Sequence, residues 1–275
     1  KGQFIFVAEE SSADLAVVNT CTVTDQADKR NRQAILRIQR AAPQAQIIVT
    51  GCQAQTNPED LMLPGVYVVP GQSKHKVPAL IAGFIETGIL QRTVLPAAAG
   101  PNPDAFSFSG VVPQGHTRAY LKIQDGCDRH CSYCKIPQAR GKGVSRAADD
   151  VLREVEFLRG RGIKEVILTG VNLGWYRDSG LRFPALLAKI LENAAGMRVR
   201  LSSIEPCDVG HELADLISHP AFCKYLHVPL QSGSDAILRK MRRTYNARSF
   251  RQRLEHVIQK NPEVFIGTDV IVGFP

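Results

Sequence analysis

Along the chain, short apolar runs alternate with stretches in which apolar residues recur every three to four positions. The first pattern predicts strands and the second predicts helices. In the first third, residues 4–7 and 15–19 read as strands. An amphipathic stretch follows, with Ala27, Ala34, Ile35 and Ile38 near helical spacing, and Pro43 closes it. Residues 46–50 and 66–69 read as two further strands, and residues 76–87 as a helix that stops at Gly88. Such an alternation predicts a small α/β unit on a parallel sheet.

Between residues 96 and 115 the periodicity lapses into Pro, Gly, Ala and Ser, the signature of a linker. Beyond it, strands at 119–124, 165–169, 198–204, 225–230 and 265–272 alternate with helices at 148–159, 184–193, 211–218 and 235–241, the last extended by 248–259. Five β-α steps of this kind, the last cut off after its strand, close into a full or partial TIM-like β/α barrel, whose active residues belong at the C-terminal ends of the strands. The 275 residues suit two domains. The expected division is a flavodoxin-like α/β domain at 1–95, a linker at 96–115 and a barrel at 116–275.

Composition narrows the class. The chain is 44% hydrophobic and 22% charged, without low-complexity tracts, as in soluble globular proteins. No apolar run approaches the roughly 20 residues of a membrane-spanning helix, so no membrane partner is expected. The chain starts at Lys1 and stops at Pro275, where a strand should meet its loop, and it reads as a fragment. Seven cysteines, several of them at short spacings, suit metal binding in a reducing compartment better than a disulfide framework, so a cytoplasmic location is expected.

The net charge of +8 lies wholly in residues 116–275. Arg239, Lys240, Arg242, Arg243, Arg248, Arg251 and Arg253 fall in one stretch without an acidic residue, a density that suits phosphates as well as a solvated helix face.

The candidate chemistry lies in the cysteines. Cys21 and Cys52 each follow a predicted strand of the first domain, which brings both to one edge of its sheet, where open α/β folds place ligands. After the first barrel strand come Cys127, Cys131 and Cys134, spaced four and three apart. Three thiolates on one loop can hold three corners of an iron-sulfur cube and leave the fourth iron open. A zinc site completed by His130, Cys207 or Cys223 is the alternative, since closed zinc sites take four ligands.

The loop from Gly126 to Cys134, placed at the catalytic end of a β/α barrel, resembles that of the radical S-adenosylmethionine superfamily. The resemblance implies that Cys127, Cys131 and Cys134 bind a 4Fe-4S cluster, that the open iron chelates S-adenosylmethionine, and that Tyr133 packs near the adenine. It implies reductive cleavage of the sulfonium to a 5'-deoxyadenosyl radical, which abstracts hydrogen from an inert C–H bond. Gly170 and Asn172, in the segment 169–174, resemble the part that contacts the methionyl amine. Ser203, Glu205 and Gln231, at later strand ends, suit a cofactor with ribose hydroxyls, and a satisfied barrel-interior group or loop cap is the alternative for each.

Residues 19–24 and 50–52, with their cysteines, are similar to the methylthiotransferase family. That resemblance implies an auxiliary 4Fe-4S cluster held by Cys21, Cys52 and a third cysteine upstream of Lys1. Residues 121–127, 136–137 and 139–141 resemble the branch that adds a methylthio group to C2 of N6-threonylcarbamoyladenosine beside the tRNA anticodon. The implied partners are the tRNA anticodon loop and an electron donor such as flavodoxin or ferredoxin. Lys135, Gln138 and Lys142 depart from the family pattern, and a C-terminal RNA-binding domain of relatives is not in this sequence. Methylthiolation of a ribosomal-protein aspartate or of isopentenyladenosine in tRNA, a zinc-bearing nucleic-acid module without catalysis, and an inactive fragment are the rival readings.

Overall fold

The computed structural model describes residues 5, 7, 12–91, 105–107 and 115–275. The strand expected at 4–7 and most of the linker expected at 96–115 therefore fall outside the described residues. The chain forms two compact units, one of Lys1–Ser107 with Cys134–Gly141, the other of Phe108–Tyr133 with Lys142–Pro275.

In the first unit, β1 (Leu15–Thr20), β2 (Gln46–Gly51) and β3 (Val66–Val68) form a parallel sheet in sequence order. β2 is buried on both faces, because successive side chains of a strand point to opposite sides. Ile47 and Val49 pack with Ile35 and Ile38 of α1 (Asp25–Ala41), whereas Ile48 packs with Tyr67 and with Val77 of α3 (Val77–Thr87). The side chain of Thr24 caps α1 by accepting from the Ala27 amide. Gly88 ends α3 in the left-handed region at φ 70°, where a side chain would be strained. A short helix, α2 (Cys52–Thr56), starts directly at the end of β2, where the sequence pattern predicts none, and α4 (Ile136–Arg140) also belongs to this unit.

In the second unit, β4 (Arg118–Lys122), β7 (Glu165–Thr169) and β10 (Arg198–Leu201) form a parallel sheet ordered β10-β7-β4, and β11 (Tyr225–His227) pairs in parallel with β12 (Phe265–Gly267). Cys223 N donates to Val199 O at 2.8 Å and Ile204 N to His227 O at 2.9 Å, which joins these sheets into one arc. Between β4 and β7 lie a two-residue pair, β5 (Gln124–Asp125) with β6 (Val144–Ser145), and α5 (Ala148–Gly160). A hairpin of β8 (Arg177–Asp178) and β9 (Leu181–Arg182) leads into α6 (Phe183–Glu192), and α7 (His211–Ile217) connects β10 to β11. The core lies on the convex side of the arc, where Leu121, Leu168, Val199 and Leu226 meet helix residues such as Val155, Leu187, Ile190 and Leu213. The result is a partial β/α barrel.

The last two strands are shorter than their apolar runs. After His227 the chain bends, Gln231 takes a left-handed φ of 65°, and only a single bridge to Val270 continues the pairing. The helix expected at 235–241 and its extension at 248–259 are two separate helices, α8 (Asp235–Lys240) and α9 (Ala247–Lys260). Arg242 at φ 57° and the bond from Arg243 N to Leu238 O close the first. Asn246 and Ser249 exchange side-chain and backbone bonds to open the second. Among the described residues no helix is long and apolar enough to cross a membrane.

Candidate functional site

The cysteine loop of the barrel unit starts from a turn fixed by buried polar groups. Gln124 Nε2 donates to the carbonyls of Asp125 and Gly126 at 2.9 Å, while Gln124 Oε1 accepts from Asn172 N at 2.7 Å. One amide thus ties the end of β4 to the segment after β7. Farther along, Ser132 Oγ donates to Lys240 O at 2.9 Å, which pins the loop to the end of α8.

Two of the thiols, Cys127 and Cys131, lie inside a charged network. Arg129 N donates to Cys127 Sγ at 3.4 Å, and Arg243 Nη1 donates to Cys131 Sγ at 3.3 Å. The Arg243 side chain is only 3% exposed; it pairs with Glu205 Oε2, and its Nε donates to the Tyr245 hydroxyl at 3.2 Å. Tyr245 in turn donates to Leu230 O at 2.8 Å. Glu205 Oε2 also faces Arg129 Nη1 at 3.6 Å, and the Arg129 guanidinium lies over the Trp175 ring. Burial works against the charge of Arg243, yet Glu205 and the two tyrosines hold its pKa above the ordinary value. Burial pushes the Tyr133 hydroxyl up, against the pull of Arg243. Burial likewise raises the Asp208 carboxyl, with Arg129 opposing.

The other residues singled out at strand ends have definite surroundings. A Cβ at Gly170 would stand 2.9 Å from Leu173 Cδ2 and 3.0 Å from Gln124 Cβ, so only glycine fits. Asn172 is buried, and neither its side-chain oxygen nor its nitrogen has a partner, a costly state that a ligand would relieve. Ser203 Oγ shares a 2.8 Å hydrogen bond with His227 Nδ1, whose Nε2 faces Asp269 at 3.3 Å. Gln231, held left-handed, donates through its backbone to Asp269 O at 2.9 Å.

In the first unit, Thr20 and Gly51 are the last register partners of β1 and β2, so Cys21 and Cys52 follow at the same sheet edge. Neutral groups hold them. Thr20 Oγ1 donates to Thr50 O at 2.8 Å, and Asn31 Nδ2 donates to Cys21 O at 2.6 Å and Gln53 Oε1 at 2.8 Å. Beside Cys52 lies a cavity of about 80 Å³ lined also by Asn19, Gly71, Lys74, Ala139 and Arg140. Gly71 is required there, since a Cβ would meet Gly51 O at 2.6 Å. Cys134, half-buried, opens the segment 134–141 of this unit, and the neighbouring Lys135 stands 3.6 Å from both Asp25 and Asp28. The charged Lys135, unusual for the resembled family, thus has acidic partners in this chain.

Among the described residues no three His, Cys, Asp or Glu side chains converge as one metal ion requires. Ligands of an iron-sulfur cube bind different irons, so they need not meet at a point. Cys207 shares a hydrogen bond with Thr244, and Cys223 is buried near Glu165, its thiol pushed up chiefly by burial.

The basic run divides. Arg239, Lys240, Arg242, Arg248 and Arg251 are exposed, whereas Arg243 is turned inward and Arg253 donates to the carbonyls of Cys207 and Val209 at 3.0 Å. Those two are occupied by protein partners because the chain folds back on itself between α8 and α9. Sequence reasoning passed over Arg129, Asp208, Tyr245 and Gln124 as site residues. Their only signal is nearness in sequence to a cysteine or a strand end.

Models of known families match both parts: the Radical SAM superfamily at residues 121–275 and the Uncharacterized protein family UPF0004 at residues 1–68. The threonylcarbamoyladenosine tRNA methylthiotransferase MtaB of Bacillus subtilis is 37% identical over 97% of this chain and 60% of its own length. The protein of the same name from Aquifex aeolicus is 36% identical over 98% of this chain and 66% of its own. A tRNA-2-methylthio-N(6)-dimethylallyladenosine synthase of Thermodesulfovibrio yellowstonii is 32% identical, over 99% and 63%. The chain therefore spans about two-thirds or less of the length of these relatives. Among solved structures, the radical S-adenosylmethionine methyltransferase TsrM from Kitasatospora setae superposes with a TM-score of 0.61 at 20% identity, covering 94% of this chain and 56% of that one. The cobalamin-dependent S-adenosylmethionine radical enzyme OxsB does so with a TM-score of 0.57 at 12% identity, covering 95% and 41%. At such identities these two speak for the fold alone.

Proposed function

Because this chain belongs to the radical S-adenosylmethionine superfamily, we propose that it is the two-unit catalytic part of a tRNA methylthiotransferase. The observation that carries this reading is the loop of Cys127, Cys131 and Cys134 after β4, with the Cys127 and Cys131 sulfurs in a hydrogen-bonded network.

The residues fit the groups that the superfamily implies. Three soft thiolates without a disulfide suit three irons of a 4Fe-4S cluster. The orphaned Asn172 amide, in the segment that Gly170 lets pack closely on Gln124 and Leu173, suits the polar end of S-adenosylmethionine. When bound, these groups supply one-electron cleavage of a sulfonium and abstraction of hydrogen from a C–H bond. The chain's own contribution is to bind and orient. Tyr133 offers a ring beside the loop, Ser203 a hydroxyl aimed by His227, and Gln231 an amide on strained backbone. Glu205 anchors two arginines before it can serve a ligand. Cys21 and Cys52 supply two ligands of an auxiliary 4Fe-4S cluster, with Asn31 holding both loops.

The substrate is N6-threonylcarbamoyladenosine in the tRNA anticodon loop, modified at C2, a reading supported by the two relatives of that name at 36 and 37% identity. A single-stranded loop can present a splayed base, while Arg239, Lys240, Arg242, Arg248 and Arg251 meet its phosphates. An electron donor such as flavodoxin or ferredoxin and a cytoplasmic location complete the proposal. The test is nucleoside mass spectrometry of tRNA from cells lacking the full-length protein. Loss of the methylthio group from threonylcarbamoyladenosine supports the reading; its loss from isopentenyladenosine, or, in a mass measurement of the ribosomal proteins from the same cells, from an aspartate instead, replaces the substrate.

A further inference from the structure

Arg243 stands out once the exposed cations around it are set aside. In sequence it is one of several positive charges, but its side chain is 3% exposed and each nitrogen has a partner within the barrel unit. Nη2 pairs with Glu205, Nε donates to Tyr245, and Nη1 donates to Cys131 Sγ at 3.3 Å, with the Tyr133 hydroxyl at 3.5 Å. The anchor is itself braced. Tyr245 donates to Leu230 O, and Glu205 is shared with Arg129, which is fixed by Thr244 at 2.8 Å and by the Trp175 ring. A planar fork with fixed donors is the group best suited to hold one nitrogen against sulfur while the others are occupied.

We propose that Arg243 is a positioning residue for the metal cluster, its Nη1 donating a hydrogen bond to the Cys131 thiolate and its charge raising the cluster's reduction potential. The inference rests on the proposal that Cys131 binds a 4Fe-4S cluster. The cause is electrostatic. A one-electron donor adds negative charge to a site that already holds three thiolates, and an N–H donor and a buried cation at one of them stabilise that charge. Glu205 cancels part of the cation's field, but it accepts from Nη2, so the Nη1–H that points at sulfur survives the cancellation.

Removing either member of a buried pair strands the other, so Arg243 is compared within one background that already lacks the carboxylate, where both proteins share that loss. Unsubstituted chain, Glu205→Gln, and Glu205→Gln combined with Arg243→Gln are each loaded anaerobically with ferrous iron and sulfide. Iron is counted, and the cluster is titrated with dithionite while the iron-thiolate vibrations are followed by resonance Raman. The double variant is expected to carry the same iron as Glu205→Gln, to reduce at a lower potential, and to show shifted iron-thiolate bands. Glu205→Gln combined with Arg243→Lys, which keeps a charge without the fork, should recover part of the shift. Equal potentials and bands in Glu205→Gln and the double variant would overturn the proposal while leaving the cluster assignment intact. A double variant that no longer takes up iron, rescued by lysine at 243, supports the positioning role. Without that rescue, the loss makes Arg243 a structural residue and overturns the proposal. Absence of iron from the unsubstituted chain defeats the underlying assignment instead.

Discussion

The two cysteine-bearing regions are built by opposite means. In the barrel unit, Cys127 and Cys131 sit among two arginines and a glutamate, with Arg243 almost wholly buried. In the first unit, Cys21 and Cys52 are held by Thr20, Asn31 and Gln53, none of them charged. A charged frame makes strong, short-range demands and is costly to break; a neutral frame gives ground more easily. The difference teaches that the barrel loop is positioned by electrostatics, while the sheet edge is positioned by backbone register and a few amide bonds.

The largest effect should come from breaking the charged frame. Glu205→Ala leaves Arg243 buried without its carboxylate and is expected to cost about 3–4 kcal/mol in urea denaturation. A cost near zero would mean that water reaches the guanidinium and that the contrast between the regions is false. In the neutral frame, Asn31→Ala removes two hydrogen bonds and should cost about 1–2 kcal/mol. Amide hydrogen exchange should speed up at residues 21–22 and 52–54 and remain unchanged in the barrel loop.

Acid gives a further contrast. Burial pulls Glu165 upward, but Arg200, Arg198 and Arg118 outweigh it and hold the carboxyl below its ordinary value. A lowered folded pKa contributes stability above the ordinary carboxylate range, and that stability is lost as pH falls through the lowered value. Glu165→Gln should therefore cost about 1 kcal/mol at neutral pH, and the gap to the unsubstituted chain should close on acidification. A gap that stays constant with pH would show that the ion pairs to Arg198 and Arg200 are idle. The smallest effect belongs to the surface: Arg251→Ala breaks an exposed pair with Glu255 and should change stability by less than about 0.5 kcal/mol.

Much of the fold is legible in the sequence, because the period of the apolar residues is a direct record of which face is buried. The strands at 15–20, 46–51 and 165–169 and the helices at 148–160 and 211–217 have such records. The break between α8 and α9 is harder to read, since it depends on Arg242 adopting a left-handed conformation, and arginine gives no hint of that. The site is legible where spacing carries chemistry, as at Cys127, Cys131 and Cys134, and at Gly170, whose neighbours leave no room for a side chain. It is illegible where a role depends on burial. Arg243 looks like its exposed neighbours until the chain folds it against Glu205 and Cys131. Asn172 is marked in sequence by its segment alone, and only packing reveals an amide with both ends unsatisfied.

An iron-sulfur cluster on Cys127, Cys131 and Cys134 is what the proposal stands on. Anaerobic loading with ferrous iron and sulfide, followed by iron counting on the unsubstituted chain and on Cys131→Ala, tests it most directly. The substitution is expected to remove about four irons per chain together with the associated visible absorption. Equal iron in both proteins, or zinc bound in place of iron, would contradict it.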